Sequence, residues 1–318
     1  MTKYREIKGT LIQNVSADPP ASFEGQVWYN TTTNQLRLET GSLISAWSTG
    51  GDLNNPHYRT DGSGLQTSTL AMEGGPVPAG SESYNGSSWT TTNGFSTDRM
   101  GLGSAGADNT SALGFGGHTG NDVSLANTES FNGSNWTEVN DLNTARRYMN
   151  GCGTQTAALA SGGTDGTGLN ESWNGTNWTE VNDLNTPRSF FAMSGSNTAG
   201  LAIGGNPTAT ANTESWNGTN WTEVNNLNTA RNRLGGAGTQ TSTLVFSGFS
   251  IPDRTITESW NGTNWTETSN LNVDRYSLGS AGADNTSSIA YGGIPSSSPG
   301  IATEEWNVTG PAVNITSS

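Results

Sequence analysis

The chain of 318 residues is poor in cysteine, histidine and charged side chains. A single cysteine excludes a framework of intrachain disulfides, and we predict that Cys152 is a small buried thiol rather than a reactive one. The two histidines, His57 and His118, lie about sixty residues apart, and neither has a Cys, Asp or Glu set at metal-ligand spacing. We therefore expect no metal site and no cofactor.

Positive charge and long apolar runs are also scarce. Lys and Arg number 13 against 27 Asp and Glu, which leaves a net charge of −14 and no basic footprint for a phosphate backbone. No apolar run is long enough to span a bilayer, and residues 1–6 lack the apolar core of a secretion signal. We expect no nucleic-acid partner and no insertion into a membrane.

What the chain does contain is one unit repeated six times. Its most constant part is Glu-Ser-aromatic-Asn-Gly, degraded to Glu-Glu-Trp-Asn in the last copy, and it begins at Glu82, Glu129, Glu171, Glu214, Glu258 and Glu304. The copies follow one another at intervals of 47, 42, 43, 44 and 46 residues. Repetition at this period is typical of one supersecondary unit copied around a ring or along a stack.

Each copy contains four short segments with the character of strands. A Gly-, Ala- and Ser-rich run follows Leu-Asn-x-x-Arg and predicts a buried inner strand, because small residues let neighbouring backbones approach. Apolar residues at alternate positions then end in a Gly-Gly pair, as at Leu113, Phe115 and 116–117. Glu-Ser-Trp and Asn-Trp-Thr-Glu-Val, joined by a hairpin at Asn174-Gly175, predict the third and fourth strands. Four antiparallel strands in about 44 residues match one blade of a β-propeller, and no copy shows a helical pattern.

The order of Arg, Gly-Gly, an aromatic residue and a Trp after a short turn resembles the kelch repeat over residues 43–318. The resemblance implies a kelch-like propeller, although these copies are shorter and richer in Asn and Thr than typical kelch blades. We predict an all-β chain with a six-bladed propeller of four-stranded antiparallel blades at 43–318 and a short N-terminal β module at 1–42. The recurring aromatic pairs predict core between the blades rather than a sugar-stacking surface.

The way the ring closes is predicted by counting strands. A Trp-x5-apolar segment at Trp47 has no preceding strands of its own copy, whereas the last copy, 275–307, lacks its fourth strand. A propeller whose last blade stays incomplete leaves an exposed edge. We predict that residues near 45–48 supply the outer strand of the last blade, with the tail segment 312–316 as the competitor for that position.

Residues 1–42 do not repeat. The string Glu24-Gly-Gln-Val-Trp28-Tyr29-Asn-Thr-Thr-Thr33 resembles a Gly-Gln-x-Trp-Tyr-Asn segment common near the N-termini of tail-associated proteins of marine bacteriophages, and the Ile-Lys-Gly-Thr segment at Ile7 fits that company. The resemblance implies a virion protein, made in the host cytoplasm, whose N-terminal segment binds other virion proteins through residues such as Ile7, Trp28 and Tyr29. The alternative is a β-rich cap that packs on the propeller.

The stretches between Gly-Gly and Glu differ most from copy to copy. In a four-stranded antiparallel blade they all connect the second strand to the third and lie on one face, and loops on a rigid scaffold are where binding usually occurs. The alternative is that they are solvated loops without a ligand. Candidate binding residues from these loops are His118, Asn121, Asp122, Phe249, Ile251, Asp253 and Ile294.

One arginine also recurs in each copy but the first, where His57 replaces it: Arg99, Arg146, Arg188, Arg231 and Arg275. Because each copy also contributes one glutamate before its aromatic strand, we predict an ion pair or a carbonyl-capping role in every blade. The alternative is a ring of arginines that binds an acidic partner.

No catalytic residues are predicted. The candidate phosphate loop at 162–168 lacks Gly-Lys-Ser/Thr, and paired carboxylates for glycoside cleavage cannot be located from one sequence. We expect a phage structural protein that is not an enzyme, of the tail-fibre or adhesin type, located on the virion and binding a host-surface glycan or protein through the variable-loop face. The first alternative is a decoration or connector protein that binds other virion proteins, and the second is a propeller glycoside hydrolase.

Overall fold

The computed structural model describes residues 13–16, 27–32, 35–38, 44–76, 80–164, 167–249, 254–295 and 300–309. The chain divides into two compact units, residues 1–45 with 308–318, and residues 46–307. The first unit contains a three-stranded sheet of β1 (Gln13–Val15), β2 (Val27–Asn30) and β3 (Gln35–Leu38). Strand β1 runs parallel to β2, which forms an antiparallel hairpin with β3.

The second unit is a six-bladed β-propeller, which confirms the predicted fold class. Each blade is a sheet of four antiparallel strands, counted from the axis outward. Blade 1 consists of β5 (Asp61–Leu65), β6 (Ser68–Met72), β7 (Ser81–Tyr84) and β8 (Trp89–Thr92). Blade 2 consists of β9 (Gly103–Asp108), β10 (Ser111–Phe115), β11 (Thr128–Phe131) and β12 (Trp136–Val139). Blade 3 consists of β13 (Asn150–Thr154), β14 (Ala157–Ser161), β15 (Asn170–Trp173) and β16 (Trp178–Val181).

The remaining blades repeat this order. Blade 4 consists of β17 (Ala192–Ser196), β18 (Ala199–Ile203), β19 (Thr213–Trp216) and β20 (Trp221–Val224). Blade 5 consists of β21 (Gly235–Thr239), β22 (Ser242–Phe246), β23 (Thr257–Trp260) and β24 (Trp265–Thr268). Blade 6 consists of β26 (Gly279–Asp284), β27 (Ser287–Tyr291), β29 (Thr303–Thr309) and β4 (Ile44–Thr49), with β25 (Arg275–Tyr276) and β28 (Ile294–Pro295) as a separate two-stranded ladder. Each inner strand packs against the inner strands of both neighbouring blades, so the ring is complete.

Blade 6 obtains its outer strand from the N-terminal side of the propeller, at the position that the strand count predicts. The indole of Trp47 in β4 packs 5.5 Å from Trp306 of the same blade and 4.8 Å from Phe246 of blade 5. Its Nε1 donates to Thr257 Oγ1 at 3.1 Å. The competing segment, 312–316, lies outside the described residues. Pairing across the ring gives the last blade the same four strands as the others and removes an open edge.

The core lies between the blades. Phe115 of blade 2 packs in one cluster with Ala158 and the Trp173–Trp178 pair of blade 3, whose ring centroids are 5.3 Å apart. Near the axis the blades approach so closely that a Cβ on Gly151 would lie 2.6 Å from the carbonyl oxygen of Ser104. The aromatic pairs therefore fill the wide outer part of each interface, and small residues fill its narrow inner part.

Candidate binding site on the loop face

The five recurring arginines are buried in ion pairs within their own blades. The pairs are Arg99–Glu129 at 3.3 Å, Arg146–Glu171 at 3.2 Å, Arg231–Glu258 at 3.3 Å, Arg275–Glu304 at 3.0 Å, and Arg188–Glu214. In blade 1, His57 Nε2 lies 3.2 Å from Glu82 Oε1. No more than 2% of any of these arginines is exposed. The arginine–glutamate ion pair is thus present in blades 2 to 6, and a His57–Glu82 hydrogen bond takes its place in blade 1. An acidic partner would find no exposed guanidinium at this repeated position.

Each ion pair anchors the connection that leads from one blade to the axis of the next. In blade 4, Glu214 also accepts hydrogen bonds from the backbone N–H groups of Asn185 at 2.8 Å and Thr186 at 3.0 Å. Arg188 Nη1 donates to the carbonyl oxygen of Asn212 at 2.9 Å. Burial lowers the pKa of Arg188, and Glu214 opposes that effect. Because these bonds fix the chain just before it reaches the axis, they position the residues that follow.

Two residues after each anchored arginine, or after His57 in blade 1, the chain joins a closed ring around the axis. One residue from each blade takes part, and each has a positive φ between 52° and 62°: Arg59, Gly101, Tyr148, Phe190, Arg233 and Ser277. The N–H of each donates to the carbonyl oxygen of the member before it, and the six bonds measure 2.7 to 3.0 Å. Five of the six are not glycine, although this conformation favours glycine. Strained backbone of this kind is frequent at functional sites.

Four ring side chains form a continuous arc, which we call the axial arc: Arg59, Tyr148, Phe190 and Arg233. The Arg59 guanidinium lies 5.6 Å from the Tyr148 ring centroid, and its Nη1 donates to the tyrosine hydroxyl at 3.3 Å. The Tyr148 and Phe190 rings stack with centroids 4.1 Å apart. Arg233 lies 4.8 Å from the Phe190 centroid. The two remaining ring members, Gly101 and Ser277, have small side chains. Ser277 lies between Arg233 and Arg59 in the ring, and we call this interruption of the arc the gap at Ser277.

Loop residues extend the axial arc on the side of blades 5 and 6. Phe249 and Tyr276 pack with centroids 4.9 Å apart. The guanidinium of Arg233 lies 5.2 Å from the Phe249 ring, and that of Arg254 lies 5.1 Å from the Tyr276 ring. Ile294 pairs with Tyr276 in the β25–β28 ladder. Two of the predicted loop residues, Phe249 and Ile294, are therefore brought to the arc, whereas Ile251 and Asp253 lie outside the described residues.

The longest loop contributes on the opposite side of the arc. The ring of His118 lies 5.0 Å from that of Tyr148, and its Nδ1 lies 2.9 Å from the carbonyl oxygen of Thr119. Burial is the main cause that lowers the pKa of His118. Asp122 is 69% exposed and lies 3.1 Å from Arg147 Nη1, and Asn121 is exposed beside it. His118 supports the site from below the surface, while Asn121 and Asp122 form its exposed rim.

The N-terminal candidates belong to the first compact unit. Tyr29 is half-buried in β2, and Trp28 belongs to the same strand. Ile7 lies outside the described residues. Their predicted role in attachment to a particle stays a prediction.

The axial arc was not predicted from the sequence, although the sequence contains a signal for it. The position before the ring pair is Arg in five copies and His in the first, whereas the two positions that follow it change from copy to copy: Tyr58-Arg59, Met100-Gly101, Arg147-Tyr148, Ser189-Phe190, Asn232-Arg233 and Tyr276-Ser277. The propeller residues 44–309 contain nine arginines and no lysine. Five of these arginines are in the buried pairs, and the other four, Arg59, Arg147, Arg233 and Arg254, all lie in or beside the arc.

The described residues show no arrangement of three His, Cys, Asp or Glu side chains that could hold a metal ion. Within the same ranges, no helix is long and apolar enough to cross a membrane.

Comparison with known proteins adds support for the fold. No protein-family model matches the chain, and no curated protein sequence is similar to it. Among solved structures, the chain is similar to one titled "Structure of YjhT", with a TM-score of 0.67 over 83% of this chain and 99% of that chain. Sequence identity between the two is 13%, so the similarity shows the propeller fold alone.

Proposed function

We propose that this protein is a kelch-like phage virion component of the adhesin type, which binds a host-surface glycan or protein through the loop face of its propeller and is not an enzyme. The observation that carries the proposal is the axial arc, where arginines and aromatic side chains that differ between blades meet on one face. Repeated positions hold a scaffold together, whereas positions that vary on a rigid scaffold are available for recognition. The N-terminal resemblance to phage tail-associated proteins supports the location on a particle.

The opposite face of the propeller supports the choice of the loop face. There, the hairpins between the third and fourth strands repeat one turn, in which Asn174 Oδ1 accepts N–H bonds from Thr176 at 2.9 Å and Asn177 at 2.8 Å. The same turn recurs at Asn132, Asn217 and Asn261. Asn140, which follows the fourth strand of blade 2, also donates its Nδ2 to the carbonyl oxygen of Thr176 in the turn of blade 3 at 2.9 Å. These turns have the same residues in several blades, and the Oδ1 atom of each turn asparagine is bonded within the chain.

Binding is tested with the full chain, fluorescently labelled, on an array of bacterial lipopolysaccharides and capsular polysaccharides and on intact bacteria. We expect binding that Phe190→Ala on the loop face abolishes. Thr219→Ala, on the opposite face of the same blade, is the matched control and should bind as the original chain does. Binding that neither substitution affects, or that only Thr219→Ala removes, would contradict the proposal. Release of reducing sugar from a bound polysaccharide would instead support the hydrolase alternative.

The location is tested on phage particles that carry the gene. Antibodies against the purified chain, visualised by immunogold electron microscopy, should label intact particles. Labelling that requires partial dissociation of the particle would support a connector role, because the loop face would then be covered by other virion proteins. Particles that remain unlabelled before and after dissociation would refute a virion location.

A further inference from the structure

The axial arc carries positive charge that no carboxylate of the described residues neutralises. The recurring arginines each have a glutamate, and Arg147 has Asp122. Among the described residues, no carboxylate forms an ion pair with Arg59, Arg233 or Arg254. Burial and the neighbouring charge of Arg59 both lower the pKa of Arg233, which means that each disfavours its charged form. A guanidinium nevertheless stays protonated in proteins, so the charge persists and an anion placed beside it would be stabilised.

The unneutralised charges lie on both sides of the gap at Ser277. Around the ring, the order is Arg233, Ser277, Arg59, with Ser277 N–H bonded to the Arg233 carbonyl at 3.0 Å and Arg59 N–H bonded to the Ser277 carbonyl at 2.9 Å. The ring therefore holds the two arginine backbones at a fixed separation. Within the described part of the chain, the buried Nε atoms of Arg59 and Arg233 have no hydrogen-bond partner. Guanidinium donors match the oxygen atoms of carboxylate and sulfate groups well.

Aromatic side chains lie beside the same arginines. Tyr148, Phe190 and Tyr276 are half-buried around the axis, so each presents part of its surface on the loop face. Aromatic rings beside polar groups can hold the apolar face of a sugar ring while arginines bind its charged substituent. A single-stranded nucleic acid also uses arginines and aromatic rings. The net charge of −14 disfavours so long a polyanion, whereas a local anionic group is compensated by the arc itself.

We propose that the axial arc and Arg254 form a binding site for an acidic saccharide, with the carboxylate or sulfate group in the gap at Ser277 between Arg233 and Arg59. This inference rests on the proposed function and names the class of glycan that it would recognise.

The test compares matched charged and neutral saccharides by isothermal titration calorimetry on the full chain. One pair is oligogalacturonate and its methyl ester, and the other is a short sulfated dextran oligosaccharide and its unsulfated parent. We expect at least one charged member to bind tenfold or more tightly than its neutral partner, with an affinity that falls as salt rises, because charge-assisted hydrogen bonds dominate. If neither charged saccharide binds better than its neutral partner, the inference is refuted.

Substitutions locate the site. Arg59→Gln and Arg233→Gln should each lower the affinity for the charged saccharide about tenfold or more, since each removes charge-assisted hydrogen bonds. Arg233→Lys keeps the charge but loses the planar donors, so we expect an intermediate loss. The control Thr176→Glu changes the net charge by the same amount on the opposite face, and its affinity should stay within about twofold. Unchanged affinity in both Gln variants, each confirmed as folded by circular dichroism, would overturn the proposal. If Arg233→Gln does not fold, Arg233→Lys replaces it in this comparison.

The outcomes separate this inference from the proposed function. An array in which neutral and acidic polysaccharides bind equally, and Phe190→Ala abolishes both, would refute the acidic-saccharide site and keep the adhesin function. Specific binding of the charged saccharides, together with particles that no antibody labels, would keep the site and refute the virion location. A twelve-residue oligothymidylate that binds more tightly than either charged saccharide would overturn the inference in favour of a nucleic-acid ligand.

Discussion

Asp61 gives the propeller a pH dependence that a single substitution should remove. Asp61 begins inner strand β5, at the position that Asn150 occupies in blade 3. Both side chains accept the N–H of the next residue, at 2.9 Å in blade 1 and 2.7 Å in blade 3. Asn150 also donates its Nδ2 to the carbonyl oxygen of Phe191 in the next blade at 3.1 Å. Asp61 Oδ2, by contrast, is buried and has no hydrogen-bond partner in the described residues, and burial raises the pKa of Asp61 to about 7.

The direction and size of the effect follow from the raised pKa. Between pH 4 and pH 7 the unfolded chain has ionised Asp61 while the folded chain keeps it protonated, so the folded state loses stability as the pH rises through this window. The rise in the pKa of Asp61 from 3.8 to about 7 corresponds to a loss of at most about 4 kcal/mol in the free energy of unfolding, at about 1.4 kcal/mol per pH unit. Because Asp61 is partly exposed to solvent, we expect the free energy of unfolding to fall by about 1 to 3 kcal/mol across this pH window.

The assay is urea unfolding of the original chain and of Asp61→Asn at pH 4.5 and pH 8. The asparagine variant should have a similar free energy of unfolding at pH 4.5 and a higher one at pH 8, since it cannot ionise. Comparing the two proteins cancels the contributions of other titrating groups, such as Glu73, whose pKa burial also raises to about 7. The reciprocal variant, Asn150→Asp, should introduce a new loss of stability at pH 8. The reasoning would be refuted if the free energies of unfolding of Asp61→Asn and the original chain differed by the same amount at both pH values.

Three further predictions concern the blades themselves. Glu214→Gln leaves a buried arginine without its carboxylate and should lower the free energy of unfolding by about 3 to 5 kcal/mol. The control Glu223→Gln, at an exposed position on the adjacent strand, should change the free energy of unfolding by less than about 0.5 kcal/mol. Equal effects of the two substitutions would contradict the role of the ion pair. Trp47→Ala should cost about 3 to 5 kcal/mol, as should Trp178→Ala in an ordinary blade, and a much smaller cost at Trp47 would argue against closure through β4. Burial raises the pKa of the Cys152 thiol to about 12, so a thiol reagent should label it only after unfolding, and rapid labelling of the folded protein would contradict its burial.

The fold could be predicted because each blade is a local unit copied with its chemistry intact. Strand alternation, the Gly-Gly pair and the Asn-Gly turn act within a few residues of one another, so one copy specifies one blade. Closure required only counting, since Trp47 belongs to an outer strand that no inner strands of its own copy precede. The Arg–Glu pairing followed from the one recurring arginine and one recurring glutamate that five of the six copies contain, for example Arg188 and Glu214. The sequence did not show whether the repeated arginine has a structural role within its blade or binds an acidic partner, because the burial of its side chain depends on the packing of the complete blade.

The axial arc could not be predicted in the same way because its members are distant in sequence. Tyr148 and Phe190 are 42 residues apart. Each stands two positions after a recurring arginine, and a comparison of the copies draws attention to the arginine rather than to the residue that varies after it. Their contact exists because the ring of backbone hydrogen bonds brings one residue from each blade to a common axis. Variation at these positions could have marked them, but only the ring shows that the varying side chains touch.

The sequence by itself determined how many blades there are, which segments form their strands, and that one N-terminal strand is left over for the last blade. These features are encoded locally, by turn residues and by apolar alternation, and they repeat. Only the tertiary structure decided which arginines are neutralised and which are not, since that depends on whether a carboxylate from another strand reaches them. It also decided that the four arginines outside the buried pairs gather with aromatic rings on one face, because radial packing of six blades brings six separate chain segments to one point.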